Sequence, residues 1–229
     1  MILIADMCQP HRYDTAGCSF KIKRKFEALT GHPCVVMNYP DVNTAFVERY
    51  GIQAIFITGT GYGWETVEVS KLHGISDLMR QTQLPVYGAC GGHQLLGFIF
   101  NKNLRRVKQL ADEPMRKLRR GEPDWHDSYR PGYFTERGMH PIKVLEKDPL
   151  FTTLPKTMWL HESHYCEVKK VPKDFVLLAS SENCRIQVMR HADRPIYGCQ
   201  FHAENWTDAY PHGKKLMENF FSIAGLRRT

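Results

Sequence analysis

Cys90 sits in Gly88-Ala89-Cys90-Gly91-Gly92, with an apolar run ending in Val86-Tyr87 before it and Leu95, Leu96, Phe98 and Ile99 after it. The first run reads as a strand and the second as the apolar face of a helix. A small residue two places either side of a central nucleophile is the spacing of a sharp strand-to-helix turn. Such a turn holds the nucleophile in a strained backbone conformation and needs close approach of the flanking chain. The helix that follows directs its free N–H groups and positive dipole end toward the sulfur, which favours thiolate. Taken alone, the motif also fits a buried cysteine in a glycine-rich turn.

A second stretch supplies what a cysteine nucleophile lacks. Gln200-Phe201-His202-Ala203-Glu204 follows the strand-like Ile196-Tyr197-Gly198-Cys199. Residues two apart on extended chain face one way, so Glu204 is placed to accept from one nitrogen of His202. That fixes the tautomer and leaves the other nitrogen for a thiol. Thr58-Gly59-Thr60-Gly61-Tyr62-Gly63 leaves a third apolar strand, Ala54–Ile57. It lacks the Lys-Ser/Thr ending of a phosphate loop and does not complete G-x-G-x-x-G. An oxyanion loop is the better reading, with Gly59 and Thr60 supplying one backbone donor and Gly91 the other.

Together, Gly88-Ala89-Cys90-Gly91-Gly92-His93-Gln94 and Gln200-Phe201-His202-Ala203-Glu204 resemble the two signature motifs of the class I (triad) glutamine amidotransferases. The departures are Ala203 where proline is usual, Thr60 where the oxyanion loop has its second glycine, and Gly61 where it has proline. The resemblance implies Cys90 as nucleophile, His202 as base and acid, and Glu204 as orienter. It implies Gln94 as a glutamine-site residue, and Tyr165 and Cys166, after Ser163-His164, as presenting backbone groups to the substrate. It implies hydrolysis of the glutamine side-chain amide, with no metal or organic cofactor and with ammonia passed to a separate synthetase partner. Two alternatives stay open: a stand-alone γ-glutamyl hydrolase or peptidase, and a non-catalytic regulatory subunit. The spacing His161-x-x-His164-x-Cys166 admits a metal reading, but no further ligand pair follows it, so no metal site is expected.

The elements that must position these residues alternate. Strands are expected at 1–7, 33–39, 54–57 and 84–87, with helices at 20–29, 41–50 (capped by Asp41) and 67–80 between them. That alternation indicates an α/β protein with a mostly parallel central sheet flanked by helices, the flavodoxin-like arrangement of the resembled family. A smaller antiparallel group follows in the C-terminal half, at 139–146, 158–168, 175–179 and 185–189, before a terminal helix at 211–224. The 229 residues read as a single domain, 1–229, with a basic insertion at about 102–137. Eight lysines and arginines fall between Lys102 and Arg120, against Asp112 and Glu113. A solvated charged face explains most such runs, and no nucleic-acid motif accompanies this one. The insertion is expected to form a lid or docking surface near the site.

Composition is that of an ordinary globular chain, 42% hydrophobic and 24% charged, with net charge +7. The apolar start, Met1–Ala5, is too short for a signal sequence, and no run approaches a membrane span. The seven cysteines show no paired spacing. A cytoplasmic chain whose other cysteines are packing residues is therefore expected. His93 is expected to be a packed helix residue. Trp125, Trp159 and Trp206 read as core or rim, and His126, His140, His191 and His212 carry no assigned chemistry.

Overall fold

The computed structural model describes residues 1–15, 18–125 and 128–226; His126 lies outside them. Nine strands form one sheet: β1 (Ile2–Asp6), β2 (Cys34–Asn38), β3 (Ala54–Ile57), β4 (Val86–Ala89), β5 (Glu136–Val144), β6 (Thr157–His164), β7 (Phe175–Ser180), β8 (Val188–His191) and β9 (Ile196–Cys199). Their order is β2-β1-β3-β4-β9-β8-β7-β5-β6. The first five strands in that order are parallel, and every pairing from β9 to β6 is antiparallel. The expected mixture of a parallel core with an antiparallel C-terminal group is thus one continuous sheet.

Among the described residues five helices cover it: α1 (Cys18–Thr30), α2 (Thr44–Arg49), α3 (His73–Gln81), α4 (Gly91–Asn101) and α5 (His212–Ile223). Strand alternation sorts the core. Leu3, Ile55, Ile57 and Val86 join α3 and α4 in one cluster, while Ile2, Ile4, Phe56 and Tyr87 join α1 and α5 in the other. The central strands are buried on both faces, which is why they read as unbroken apolar runs.

Several local expectations are corrected. The helix placed at 41–50 starts at Thr44, capped by Asn43, whose side chain accepts from Phe46 N–H at 2.9 Å. Asp41 instead ends a short 3-10 turn, because the chain first buries Val42. The helix placed at 67–80 is a 3-10 turn over Val69–Leu72 followed by α3. Val69 and Leu72 are both buried, and their three-residue spacing suits the tighter turn. Between β1 and α1 the chain makes a 3-10 turn, Pro10–Thr15. The strand placed at 185–189 begins only at Val188, and its pairing with β7 shifts register between Leu177 and Ala179.

Among the described residues no helix is long and apolar enough to cross a membrane. Cys34, Cys90, Cys166, Cys184 and Cys199 are buried thiols outside any disulfide. Half of the basic stretch is ion-paired: Arg116 holds Glu122 with two bonds of 2.6 and 2.7 Å, Arg105 meets Asp77, Arg119 meets Glu182 and Lys102 meets Glu113. Trp125 and Trp159 are exposed at the rim.

Candidate active site

The parallel half delivers Cys90. β4 ends at Ala89 and α4 begins at Gly91, so Cys90 makes the whole reversal, with φ 48° and ψ −103°. A non-glycine residue there costs about 1–3 kcal/mol. Its backbone is fixed on both sides: Cys90 N–H donates to Cys199 O at 2.8 Å and Cys90 O accepts from Gln94 N–H at 3.0 Å. A side chain at Gly88 would strike the Gly92 carbonyl at 2.7 Å, which accounts for the small residues flanking the cysteine.

His202 and Glu204 follow β9, the strand paired with β4, and so arrive beside the same turn. His202 Nδ1 and Glu204 Oε1 are 2.7 Å apart. Burial disfavours the charged ring, but Glu204 and then Cys90 outweigh it and hold His202 well above its usual value. Lys25 on α1 donates to Glu204 O at 2.7 Å, and His202 N–H donates to His161 O at 2.8 Å. The loop carrying the imidazole is therefore tied to a helix and to β6.

The Thr58–Gly63 loop lies across these groups. A Cβ at Gly59 would sit 2.8 Å from His202 Cε1 and 3.5 Å from Cys90 Cβ. One at Gly91 would sit 2.5 Å from Thr60 N. Gly59, Thr60, Gly91, Cys90 and His202 thus converge on one spot. Thr60 adopts no positive φ, so its β-branch is accommodated without strain. Among the described residues the N–H groups of Gly59, Thr60 and Gly61 meet no acceptor. Gly91, as the first residue of a helix, has no intrahelical acceptor either.

Gln94 is buried and its amide is engaged. Oε1 accepts from Trp64 Nε1–H at 2.7 Å, and Nε2 donates to Cys166 O at 3.0 Å. The Tyr165 carbonyl accepts from Met115 N–H at 2.9 Å. Gln94 and Cys166 therefore brace each other beside the cysteine, and the Tyr129 ring packs edge-on against Tyr165.

Other contacts were not assigned from sequence. Gln200 Nε2 lies 3.7 Å from Cys90 Sγ, and Ser163 O lies 3.9 Å from it. Gln200 stands in the second motif, which was the available signal. His161 meets His202 edge-on, with ring centroids 6.0 Å apart. Burial and then the charge of His202 lower its pKa, leaving a neutral neighbour. The His161-x-x-His164-x-Cys166 spacing does not gather its members: three residues along β6 reverse the face, and His164 turns to Glu136 and Glu162. His93 is fully buried, and burial pushes it down to about 3, in keeping with a packing residue.

The chain matches the family described as glutamine amidotransferase class-I over residues 15–224. It is 34% identical to a glutamine-hydrolyzing GMP synthase subunit from Pyrococcus abyssi over 142 residues, 62% of this chain and 61% of that protein. The similarity thus spans about three fifths of that relative's length. The Methanocaldococcus jannaschii protein of the same description is 28% identical over 160 residues, 70% of this chain and 71% of the relative. Among solved structures, a Thermoplasma acidophilum protein described as a GMP synthase subunit superposes with TM-score 0.72 at 21% identity, covering 98% of this chain and 93% of that one. The glutaminase domain of Trypanosoma brucei CTPS, solved with bound acivicin, gives 0.68 at 15% identity, covering 100% and 96%. With a family match over nearly its whole length and that family's two motifs meeting at one turn, this chain belongs to the class-I glutamine amidotransferases.

Proposed function

We propose that this chain hydrolyses the side-chain amide of glutamine and releases ammonia to a partner synthetase. The supporting observation is the His202–Glu204 pair closing on Cys90 at a positive-φ turn, in a chain of this family. Cys90 attacks as thiolate, and the Gly91 N–H with the Gly59–Thr60 backbone holds the oxyanion. His202, kept protonated by Glu204, gives its proton to the departing ammonia. It then takes one from water, and the resulting hydroxide releases glutamate from the thioester. Gln94 braces the wall that receives substrate, and the Tyr165–Cys166 backbone forms that wall. The chain acts as one domain, 1–229, with an insertion at about 102–137, in the reducing cytoplasm that suits its free thiols. Relatives described as glutamine-hydrolyzing GMP synthase subunits make a GMP-forming synthetase the first partner to test.

A second reading has its own observation. A cavity of about 440 Å³ lies on the His202 side, lined by Lys21, Lys25, Thr58–Gly61, Glu204 and Asn205. That is where a leaving amine larger than ammonia would depart, as in a γ-glutamyl hydrolase. Steady-state release of glutamate from glutamine and from γ-glutamyl amides of larger amines separates the two. Preference for glutamine, rising when the synthetase is added, supports the first reading; preference for the larger amides supports the second.

A further inference from the structure

The inserted segment reaches both walls of the cleft. On one wall, Met115 N–H donates to Tyr165 O and Glu167 N–H donates to Glu113 O, each at 2.9 Å. On the other, it grips the residues just after the oxyanion loop. The Asp112 carboxylate, almost wholly buried, accepts from Trp64 N–H at 2.9 Å and from the Tyr129 hydroxyl at 2.8 Å. Arg130 pairs with Glu65, and the Tyr129 hydroxyl also reaches Glu65 at 3.2 Å. Glu65 in turn accepts from Asp112 N–H at 3.1 Å. A side chain at Gly63 would collide with the Tyr129 hydroxyl, so loop and strap are fitted to each other.

The other end of the loop is tied to the sheet. Thr58 N–H donates to Ala5 O at 3.1 Å, and Thr58 Oγ1 accepts from Met7 N–H at 2.9 Å. Between these anchors lie Gly59, Thr60 and Gly61, whose N–H groups meet no acceptor among the described residues. Two glycines in three residues give little stiffness of their own. Thr60 Oγ1 donates to Tyr62 O at 3.4 Å and the Tyr62 hydroxyl donates to Met7 O, so the loop's middle is partly held from the sheet side, and the downstream anchor sets the remaining freedom of the Thr60 N–H.

We propose that Tyr129 and Arg130 are positioning residues. Through Asp112 and Glu65 they fix the downstream end of the oxyanion loop, and the inserted segment thereby sets the geometry of the oxyanion hole. The proposal rests on the glutaminase reading for its kinetic consequence but not for its structural one. Neither residue touches the reacting atoms; the effect passes through Gly63–Glu65.

The test uses the full chain as Tyr129→Phe, Arg130→Met and the double variant, with Arg130→Lys as the conservative control. Hydrogen exchange over residues 61–66 is expected to quicken by about fivefold in the double variant, with 86–99 unchanged. In the same variant kcat for glutamine is expected to fall about tenfold with KM within about twofold, since an oxyanion donor acts mainly in the transition state. Alkylation of Cys90 by iodoacetamide, which needs no oxyanion hole, is expected to keep its rate, and Arg130→Lys to recover part of kcat. Unchanged exchange over 61–66 overturns the proposal. So does a rise in KM with kcat intact, or alkylation that falls in step with kcat. If the unsubstituted chain turns over no γ-glutamyl amide at all, the functional reading falls, and the exchange comparison alone decides the strap.

Discussion

His202 gives Nδ1 to Glu204 and keeps its other nitrogen for the cysteine, whereas His164 spends both. His164 Nδ1 meets Cys166 O at 2.9 Å and Nε2 meets Glu136 at 3.0 Å, with Glu162 at 3.2 Å. In each ring burial opposes the charged form and carboxylates overcome it, so both stand well above the ordinary value. Glu136 is held low by His164 against its own burial, while burial pushes Glu162 up. A shifted histidine is thus no evidence of catalysis by itself. What separates the two is the second nitrogen: that of His202 faces Cys90, whereas both nitrogens of His164 are engaged and its ring is buried, one of them held by the Cys166 carbonyl.

Substitution breaks this comparison most directly at the rings. His202→Asn is expected to lower kcat by at least about 10³-fold, with a small change in melting temperature. His164→Asn leaves buried carboxylates unpaired and is expected to cost about 3 kcal/mol in urea unfolding. If both variants lose activity and stability alike, the division of roles is wrong. The carboxylates sharpen it at smaller amplitude. Glu204→Gln keeps the shape but not the charge and is expected to reduce kcat about 10²-fold with little loss of stability. Glu136→Gln is expected to lower the melting temperature more than kcat. Smaller again, Gly91→Ala would crowd Thr60 N at 2.5 Å, and its damage is expected in kcat rather than in KM.

The pH dependence of folding supplies the finest distinction. His164 is raised in the folded state above its unfolded value near 6.5. Its contribution is therefore complete below that pH and is lost as pH climbs through the folded value. Urea unfolding from pH 6 to 9 should show stability falling with pH. The slope should be shallower in His164→Gln, whose side chain does not titrate. An unaltered slope would remove His164 from the account.

What was legible in the sequence follows the distance over which each contact acts. Cys90 with its glycines, and the pair His202 and Glu204, are local patterns, and the fold brings the residues they name to one turn, although Ala203–Asn205 is a 3-10 turn and not the extended step expected. The parallel core was readable because strands buried on both faces spell unbroken apolar runs. The His164 network was not, since Glu136 comes opposite it only through the register of β5 on β6. The Asp41 cap misled because a buried Val42 pushes the cap to Asn43 and the helix start to Thr44, a constraint set by the core. The strap through Asp112, Tyr129 and Glu65 joins three distant stretches that share no motif, and only the folded arrangement brings them together.

The central claim is that Cys90 forms a covalent γ-glutamyl intermediate that His202 helps to make and break. Rapid acid quench of the full chain with glutamine, followed by peptide mass analysis, tests it most directly. A γ-glutamyl thioester on Cys90 is expected, absent in Cys90→Ala and formed far more slowly in His202→Asn. Ammonia release that survives Cys90→Ala, or an adduct on another cysteine, would contradict it.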